Sequence, residues 1–279
     1  MKVVVLVENS SKDNLRGEHG LSFYIEHKGK RYLIDAGKSN LFLENSNKLN
    51  VDLAGVDMAF LSHAHYDHSG GFEEFFKINE SSKVYLQNAC RQKEYYKIVD
   101  SRKKYIGIPK GLLKNYDDRF EFVDGFKKVS EDVFICPHNS KDLALRGKRA
   151  HMYGILDGEV AVDDFSHEQT IVFKQDDGLF LFNSCSHGGV ENIIDEVRAV
   201  FPNYEIMAFF GGFHMMGVDG VDSCEFSENE VKEIGKSLLK DTDATFYTGH
   251  CTGDVATEWL GEILGDKLVN IHSGMIVDL

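Results

Sequence analysis

Four potential metal ligands lie within six residues of one another in the sequence. The pattern H-x-H-x-D-H is formed by His63, His65, Asp67 and His68. A helix would scatter these side chains around its axis, whereas a tight loop at a strand end lets them converge on two adjacent metal positions. Imidazole and carboxylate ligands together suit zinc, iron or manganese. The segment therefore predicts a metal centre.

Further histidines follow short apolar runs that we interpret as strands. The predicted strands cover residues 56–61, 179–182, 205–210 and 244–247, and they precede His63, Cys185 with His187, His214 and His250, respectively. Helical spacing of apolar residues after two of these loops predicts helices over residues 190–200 and 255–264. In α/β sheets, ligand sites collect in the loops beyond the carboxyl ends of strands. We therefore expect one site shared by all four loops.

The composition is that of a folded acidic protein. The 279 residues contain 31 Lys and Arg against 45 Asp and Glu, a formal charge of −14. This charge repels phosphate backbones, which excludes nucleic acid as the main partner. Without repeats or linkers, the sequence predicts one domain over residues 1–279. The stretch 88–150, rich in Lys, Arg and Tyr, is predicted to be an inserted cap segment.

The cysteines and the first residues indicate the cellular compartment. The five cysteines, Cys90, Cys136, Cys185, Cys224 and Cys251, are an odd number without C-x-x-C spacing, which predicts reduced thiols. The apolar run at residues 3–7 is too short for a signal-peptide core or a membrane span. The sequence thus predicts a cytoplasmic protein that does not bind membranes.

These motifs resemble the metallo-β-lactamase superfamily, whose signature is H-x-H-x-D-H followed by later His, Asp and His ligands. Segments 185–193, 211–214 and 248–253 are similar to a subgroup described as 7,8-dihydropterin-6-yl-methyl-4-(β-D-ribofuranosyl)aminobenzene 5′-phosphate synthase, an enzyme of methanopterin-type cofactor synthesis. The resemblance covers essentially the whole chain. It implies an α/β fold, a four-layer αβ/βα sandwich with two mixed sheets face to face, helices outside and a metal site on one edge.

By position, the resemblance implies that His63 and His65 bind a first metal ion. It also implies that Asp67, His68 and His250 bind a second. Two divalent ions are expected, zinc first, with iron or manganese as alternatives. No organic cofactor is predicted.

The sequence departs from the family pattern at the bridging ligand. Most relatives have a Gly-Asp pair where this chain has Ser184-Cys185. A thiolate of Cys185 could replace the carboxylate because zinc binds sulfur readily, or the site could use His187 instead. His167 is a candidate for the third family histidine, which lies upstream of that strand. For His214 we expect a catalytic role facing the substrate.

Hydrolysis is the natural reaction of such a site. Two divalent metals lower the pKa of a bound water to about 7, and Asp67 would orient this nucleophile as well as bind the second metal. In the synthase reaction the metals would instead neutralise the pyrophosphate that leaves a hydroxymethyl-dihydropterin when an arylamine attacks. The basic, aromatic stretch 91–110 favours a flat, phosphorylated small molecule as substrate.

Two alternatives to the synthase stay open at this point. One is a metal-dependent hydrolase of phosphodiesters, lactones or thioesters, because the superfamily supports many reactions on one scaffold. The other is a di-iron redox or ligand-binding protein that works with a separate flavin partner. The sequence also leaves open whether the chain forms a homodimer.

Overall fold

A computed structural model describes residues 1–141, 143–176 and 178–279 of the chain. Within these residues there are twenty β-strands and eight α-helices. The strands are β1 (Lys2–Val7), β2 (Ser22–His27), β3 (Lys30–Ile34), β4 (Met58–Phe60), β5 (Val84–Gln87), β6 (Glu94–Val99), β7 (Arg102–Tyr105), β8 (Phe120–Val123), β9 (Lys127–Lys128), β10 (Val133–Pro137), β11 (Met152–Leu156), β12 (Glu159–Val162), β13 (Gln169–Gln175), β14 (Gly178–Phe182), β15 (Glu205–Phe210), β16 (Met216–Gly217), β17 (Gly220–Cys224), β18 (Thr245–Thr248), β19 (Leu268–Asn270) and β20 (Ile276–Asp278). The helices are α1 (Leu41–Lys48), α2 (Tyr66–Ser69), α3 (Phe72–Ile78), α4 (Leu112–Asn115), α5 (Leu143–Arg149), α6 (Val190–Val200), α7 (Glu228–Asp241) and α8 (Asp254–Leu264).

Two seven-stranded mixed sheets form the centre of the fold. Their strand orders are β20-β1-β2-β3-β4-β5-β8 and β19-β18-β15-β14-β13-β10-β9. In the first sheet, pairing is antiparallel from β20 to β3 and parallel from β3 to β8. In the second, pairing is antiparallel from β9 to β14 and parallel from β14 to β19. The strands that precede the predicted site loops therefore belong to the parallel parts.

The hairpin between β2 and β3 shows how local sequence fixes the register. Lys28 and Gly29 have φ values of 48° and 78°, as a type I′ turn requires at both central positions. His27 then pairs with Lys30 in the antiparallel ladder.

Alternation along the strands produces a core between the sheets and a second core outside them. In β1, Val3 and Val5 face the inter-sheet core, while Val4 and Leu6 pack under the helices outside the first sheet. This is the two-residue period of a strand that is buried on both faces. Between the sheets, aromatic rings pack closely, and the ring centres of Phe182 and Phe210 are 4.7 Å apart.

Helices cover the outer face of each sheet. On the first sheet, Phe42 of α1 and Phe72 and Phe75 of α3 are fully buried. On the second, Ile193 and Val197 of α6 fall on one face of the helix and pack onto the strands. The order of layers is helix, sheet, sheet, helix, and the predicted four-layer α/β fold is confirmed.

The stretch predicted as an inserted cap is divided between different parts of the fold. β6 and β7 form a third sheet with β11 and β12 in the order β12-β11-β6-β7. β8, β9 and β10 are instead strands of the two central sheets. Residues 88–150 therefore do not form one separate segment in the structure. The Lys, Arg and Tyr content that suggested an insertion reflects the exposed faces of β6 and β7 and says nothing about strand pairing.

Two further expectations concern thiols and membranes. All five cysteines have free thiols, in agreement with the prediction of reduced cysteines. None of the helices in the described parts of the chain has the length and apolar composition that a membrane crossing requires.

Candidate metal centre

The loops after β4, β14, β15 and β18 meet at one edge of the central sheets. The ring centres of His63 and His187 are 4.9 Å apart, and those of His68 and His250 are 5.1 Å apart. All the predicted site side chains gather here, and all but His214 are buried: His63, His65, Asp67, His68, Cys185, His187, His214 and His250. The structure thus brings side chains from all four loops into one cluster, as expected for loops beyond the carboxyl ends of strands.

Asp35, just after β3, fixes the orientation of two of these imidazoles. Its carboxylate accepts hydrogen bonds from the backbone N–H and the hydroxyl of Ser62, each at 2.7 Å, and from Nδ1 of His68 at 2.8 Å. Because the Ser62 hydroxyl donates to Asp35, it accepts from Nδ1 of His63 at 2.8 Å. Both histidines therefore carry their proton on Nδ1 and present the lone pair of Nε2 to the site.

His250 is held in the same tautomer by Asn9. Nδ1 of His250 is 3.0 Å from Oδ1 of Asn9, and the amide orientation is fixed because Nδ2 of Asn9 donates to the carbonyl of His250. Nε2 of His250 then faces Nε2 of His68 at 3.2 Å. Two lone pairs repel at this distance unless a proton or a cation lies between them. The pair is therefore suited to a metal ion.

Asp67 and Cys185 complete this group of donors. Oδ2 of Asp67 is 3.7 Å from Nε2 of His68 and 3.6 Å from Nε2 of His250, and Sγ of Cys185 is 3.3 Å from Nε2 of His68. Ligand atoms of a tetrahedral zinc ion with bonds of 2.0–2.3 Å are about 3.3–3.7 Å apart. Burial raises the pKa of Asp67, but His68, a hydrogen bond from His19 and His250 outweigh burial and hold the pKa well below its usual value. The carboxylate is thus ionised, as a ligand must be.

A second group consists of His63, His65 and His187 with Cys185. Donor atoms of His63, Cys185 and His187 lie within 4.8 Å of one another. In the described residues, Nε2 of His63, Nε2 of His65 and both nitrogens of His187 are buried without a hydrogen-bond partner. Burial and neighbouring imidazoles lower the pKa of all three histidines, that of His65 to about 3. Neutral, unpaired imidazoles are costly in a core, and a metal ion would satisfy them.

Cys185 belongs to both groups. It shares one set with His63 and His187 and the other with His68 and His250. Burial and the neighbouring Cys251 raise the pKa of its thiol well above the usual value. A divalent cation at this place would reverse that shift and hold the thiolate. If two metal ions bind here, the sulfur of Cys185 would be placed to contact both.

Glu168 fixes the loop that carries His187. Its carboxylate accepts the backbone N–H groups of His187 and Gly188 at 2.9 and 3.0 Å. His138 donates from Nε2 to Glu168 and from Nδ1 to Glu196 at 2.9 Å. Burial lowers the pKa of His138, but these two hydrogen bonds outweigh burial and raise it to about 9. A buried imidazolium between two carboxylates thus supports one side of the site.

Comparison with known proteins agrees with the fold described above. Residues 15–133 match the family model of the metallo-beta-lactamase superfamily. The solved structure of Tm1679, described as a metal-dependent hydrolase of the beta-lactamase superfamily, superposes with a TM-score of 0.83 at 27% identity. The superposition covers 100% of this chain and 99% of Tm1679. The chain thus has the fold of the metallo-β-lactamase superfamily.

Two relatives of similar length come from Methanocaldococcus jannaschii. One is the uncharacterized protein MJ0448, 27% identical over 99% of this chain and 100% of its own length. The other is 7,8-dihydropterin-6-methyl-4-(beta-D-ribofuranosyl)-aminobenzene-5'-phosphate synthase, 25% identical over 99% of this chain and 96% of its own length. Zinc-bound PqqB from Methylobacterium extorquens shares the fold at 10% identity, with a TM-score of 0.58 over the whole of both chains.

The match over residues 15–133 and the clustered His, Cys and Asp donors together support a metal-dependent enzyme.

His167, the candidate for the third family histidine, is not available as a ligand. Its Nδ1 accepts the backbone N–H of Ala64 at 3.1 Å, and its Nε2 donates to Asp163 at 3.1 Å. Since both ring nitrogens are occupied, His167 supports the metal-binding loop from behind.

His214 borders the cluster on the solvent side. Its ring centre is 4.1 Å from that of His187, and its Nδ1 is buried without a hydrogen-bond partner in the described residues. It adopts a left-handed backbone conformation with φ 47°, which is uncommon for a residue other than glycine. His214 also lines a cavity that opens onto the metal centre. This position suits the substrate-facing role expected for it.

Several supporting residues were not identified in the sequence. Asp35 follows the apolar run of β3. It therefore lies at a strand end, like the histidines, and could have been identified in the same way. His19 donates to Oδ2 of Asp67 at 3.2 Å, and its place in the sequence gives no sign of this contact. The contact between His138 and Glu168 joins residues 30 positions apart, and no local pattern indicates it.

In the basic, aromatic stretch 91–110, two lysine ammonium groups contact tyrosine rings of the same stretch. The ammonium of Lys103 lies 3.9 Å from the ring centre of Tyr96, and that of Lys110 lies 5.2 Å from the ring centre of Tyr105. These cation–π contacts give partners to two lysines and two tyrosines of the stretch that was expected to receive a flat phosphorylated substrate. Of this stretch, Lys97 lines the cavity beside the metal centre.

Proposed function

We propose that this chain is a dinuclear metal-dependent enzyme, most simply a zinc enzyme, that acts on a small phosphorylated molecule. The observation that carries the proposal is the position of Cys185, which belongs to both groups of donor atoms. A set of imidazoles with one shared thiolate favours zinc over the oxygen-rich donors that manganese prefers. The same set gives less support to a di-iron protein with a flavin partner.

Two divalent ions there would supply a Lewis acid that stabilises charge on a phosphate or carbonyl oxygen. Side chains of the protein supply the remaining functions, which are orientation of the attacking group, proton transfer and exclusion of water. Asp67 is ionised and fixed by the hydrogen bond from His19, so it can orient an attacking group. Nδ1 of His214 lies at the border of the cavity, has no hydrogen-bond partner in the described residues and is the candidate to receive a proton. Phe165, stacked on His187 with ring centres 4.7 Å apart, keeps water from that side.

The synthase reaction is the first candidate. It is supported by a relative named for that activity that aligns over 99% of this chain. In this reaction the nitrogen of an arylamine attacks a methylene carbon, the carbon–oxygen bond to diphosphate breaks and pyrophosphate leaves. The amine loses a proton, for which His214 is the available acceptor.

Hydrolysis is the second candidate. It is supported by the likeness to Tm1679, which is described as a metal-dependent hydrolase and superposes over the whole chain. The two candidates share the metal centre and differ in the nucleophile, which is an amine in one case and water in the other.

The test offers both reactions to the metal-loaded protein. One sample receives the pterin diphosphate and the aminobenzene riboside phosphate, with product and pyrophosphate as readouts. The other receives bis(p-nitrophenyl) phosphate. We expect condensation, abolished by His65→Ala and by chelation but not by His272→Gln, a histidine outside the site. Phosphodiester turnover without condensation would select the hydrolase, and inactivity in both assays at full metal content would refute the proposal.

A further inference from the structure

A cavity of about 450 Å³ opens onto the metal centre through Ser186, His187 and His214. Its walls combine an apolar surface with charged groups. The apolar lining residues are Leu145, Ala150, Phe213, Met216, Phe226 and Ile234. The volume lies within the range of small-molecule sites, which are typically mostly apolar with a few polar groups that fix orientation. The cavity is thus large enough for an aromatic organic molecule that reaches the metals at one end.

The two arginines of the cavity already have carboxylate partners. Arg146 lies 2.5 Å from Oε1 of Glu191, and Arg149 lies 2.9 Å from Oε1 of Glu230. The guanidinium of Arg149 also lies 4.0 Å from the ring centre of Phe226. Both positive charges are therefore balanced by carboxylates within the protein.

Lys97 is different. It lies on β6, opposite Met152 in the third sheet, and is half-buried at the wall of the cavity. Within the described residues, no carboxylate comes within 4.0 Å of its ammonium. Burial lowers its pKa, while the charge of Glu225, another lining residue, acts in the opposite direction from a greater distance. An ammonium group that is partly desolvated and lacks an ion pair is an unfavourable arrangement unless a ligand supplies the anion.

We propose that this cavity is the substrate pocket and that Lys97 binds an anionic group of the substrate, a carboxylate or a phosphate monoester. The body of this substrate is aromatic and packs against Phe213 and Phe226, and its reacting end meets His187 and His214. The inference rests on the proposed function for the identity of the reacting end. Binding through Lys97 can be measured separately, without turnover.

Three aromatic probes of one shape test the anion site: naphthyl phosphate, naphthoate and naphthol. Their dissociation constants are measured by calorimetry on the metal-loaded protein and repeated after chelation. A hydrogen bond to a charged group contributes about 1.5–3 kcal/mol, which corresponds to a loss of roughly 10- to 100-fold. We expect Lys97→Met to weaken naphthyl phosphate and naphthoate by this factor, with and without metal, and to leave naphthol unchanged.

The controls separate Lys97 from general charge and from the metals. Lys93→Met removes a neighbouring lysine that pairs with Asp164, and it should leave all three probes within twofold. Glu225→Gln should leave anion binding unchanged or make it tighter, and Lys97→Arg should restore part of it. Equal anion affinity in Lys97→Met and the wild type would overturn the inference, as would an equal loss in Lys93→Met. If Lys97→Met does not fold, as judged by circular dichroism, Lys97→Gln takes its place under the same criteria. Absence of turnover with intact Lys97-dependent binding would refute the proposed function alone.

Discussion

The buried imidazolium of His138 makes the stability of the protein depend on pH in a defined way. Its pKa is about 9 in the folded protein against 6.5 for an ordinary histidine. At 1.36 kcal/mol per unit, this difference corresponds to about 3 kcal/mol. Because the folded-state pKa is the higher one, the contribution is fully present below pH 6.5 and is lost as the pH rises through about 9.

The perturbation is His138→Gln, which removes the charge and keeps one amide donor between Glu168 and Glu196. Urea unfolding of both proteins, at matched metal content, is followed by circular dichroism from pH 6 to about 10. We expect the difference in unfolding free energy, wild type minus variant, to fall by about 3 kcal/mol over this interval. His272→Gln, outside the network, should give a flat difference. A flat difference for His138→Gln would refute the assignment of a buried charge to this histidine.

Three further predictions concern residues around the metal centre. Asp35→Asn should weaken metal binding by roughly 10- to 100-fold, because Asp35 sets the tautomers of His63 and His68. Competition with a chelator measures this loss. Unchanged affinity would show that the hydrogen bonds of Asp35 do not contribute to metal binding. His167→Gln should lower the unfolding free energy by about 1–3 kcal/mol, since Ala64 and Asp163 lose a buried partner, while metal stoichiometry by elemental analysis stays the same. Glu168→Gln should lower the affinity of the metal position at His63 and His187 more than that of the position at His68 and His250. Stepwise titration with Co²⁺ can resolve the two positions. An equal loss at both would contradict the role of Glu168 in holding the loop of His187.

The sequence predicts the fold and the histidine cluster because both follow from short-range patterns. Apolar runs ended by His63, His187 or His250 identify strands with ligands at their carboxyl ends, and parallel pairing brings those ends together. The predicted helix over residues 190–200 also agrees with the structure. These features need no knowledge of distant contacts.

The hydrogen-bond partners of each imidazole could not be predicted in this way. His167 and His187 are both buried histidines near acidic residues, and they differ only in whether their ring nitrogens are occupied. That difference depends on Ala64 and Asp163, whose positions are set by tertiary packing. For the same reason, residue content alone did not reveal that part of the stretch 88–150 pairs into the central sheets.

We propose that, when two metal ions are bound, Cys185 would be a ligand of both. This is tested by loading the protein with Co²⁺ and recording the near-ultraviolet thiolate-to-metal charge-transfer band, together with elemental analysis. We expect two metal ions per chain and a band that disappears in Cys185→Ser but persists in Cys251→Ser. A band that survives in Cys185→Ser, or a protein that binds no metal ion at these histidines, would contradict it.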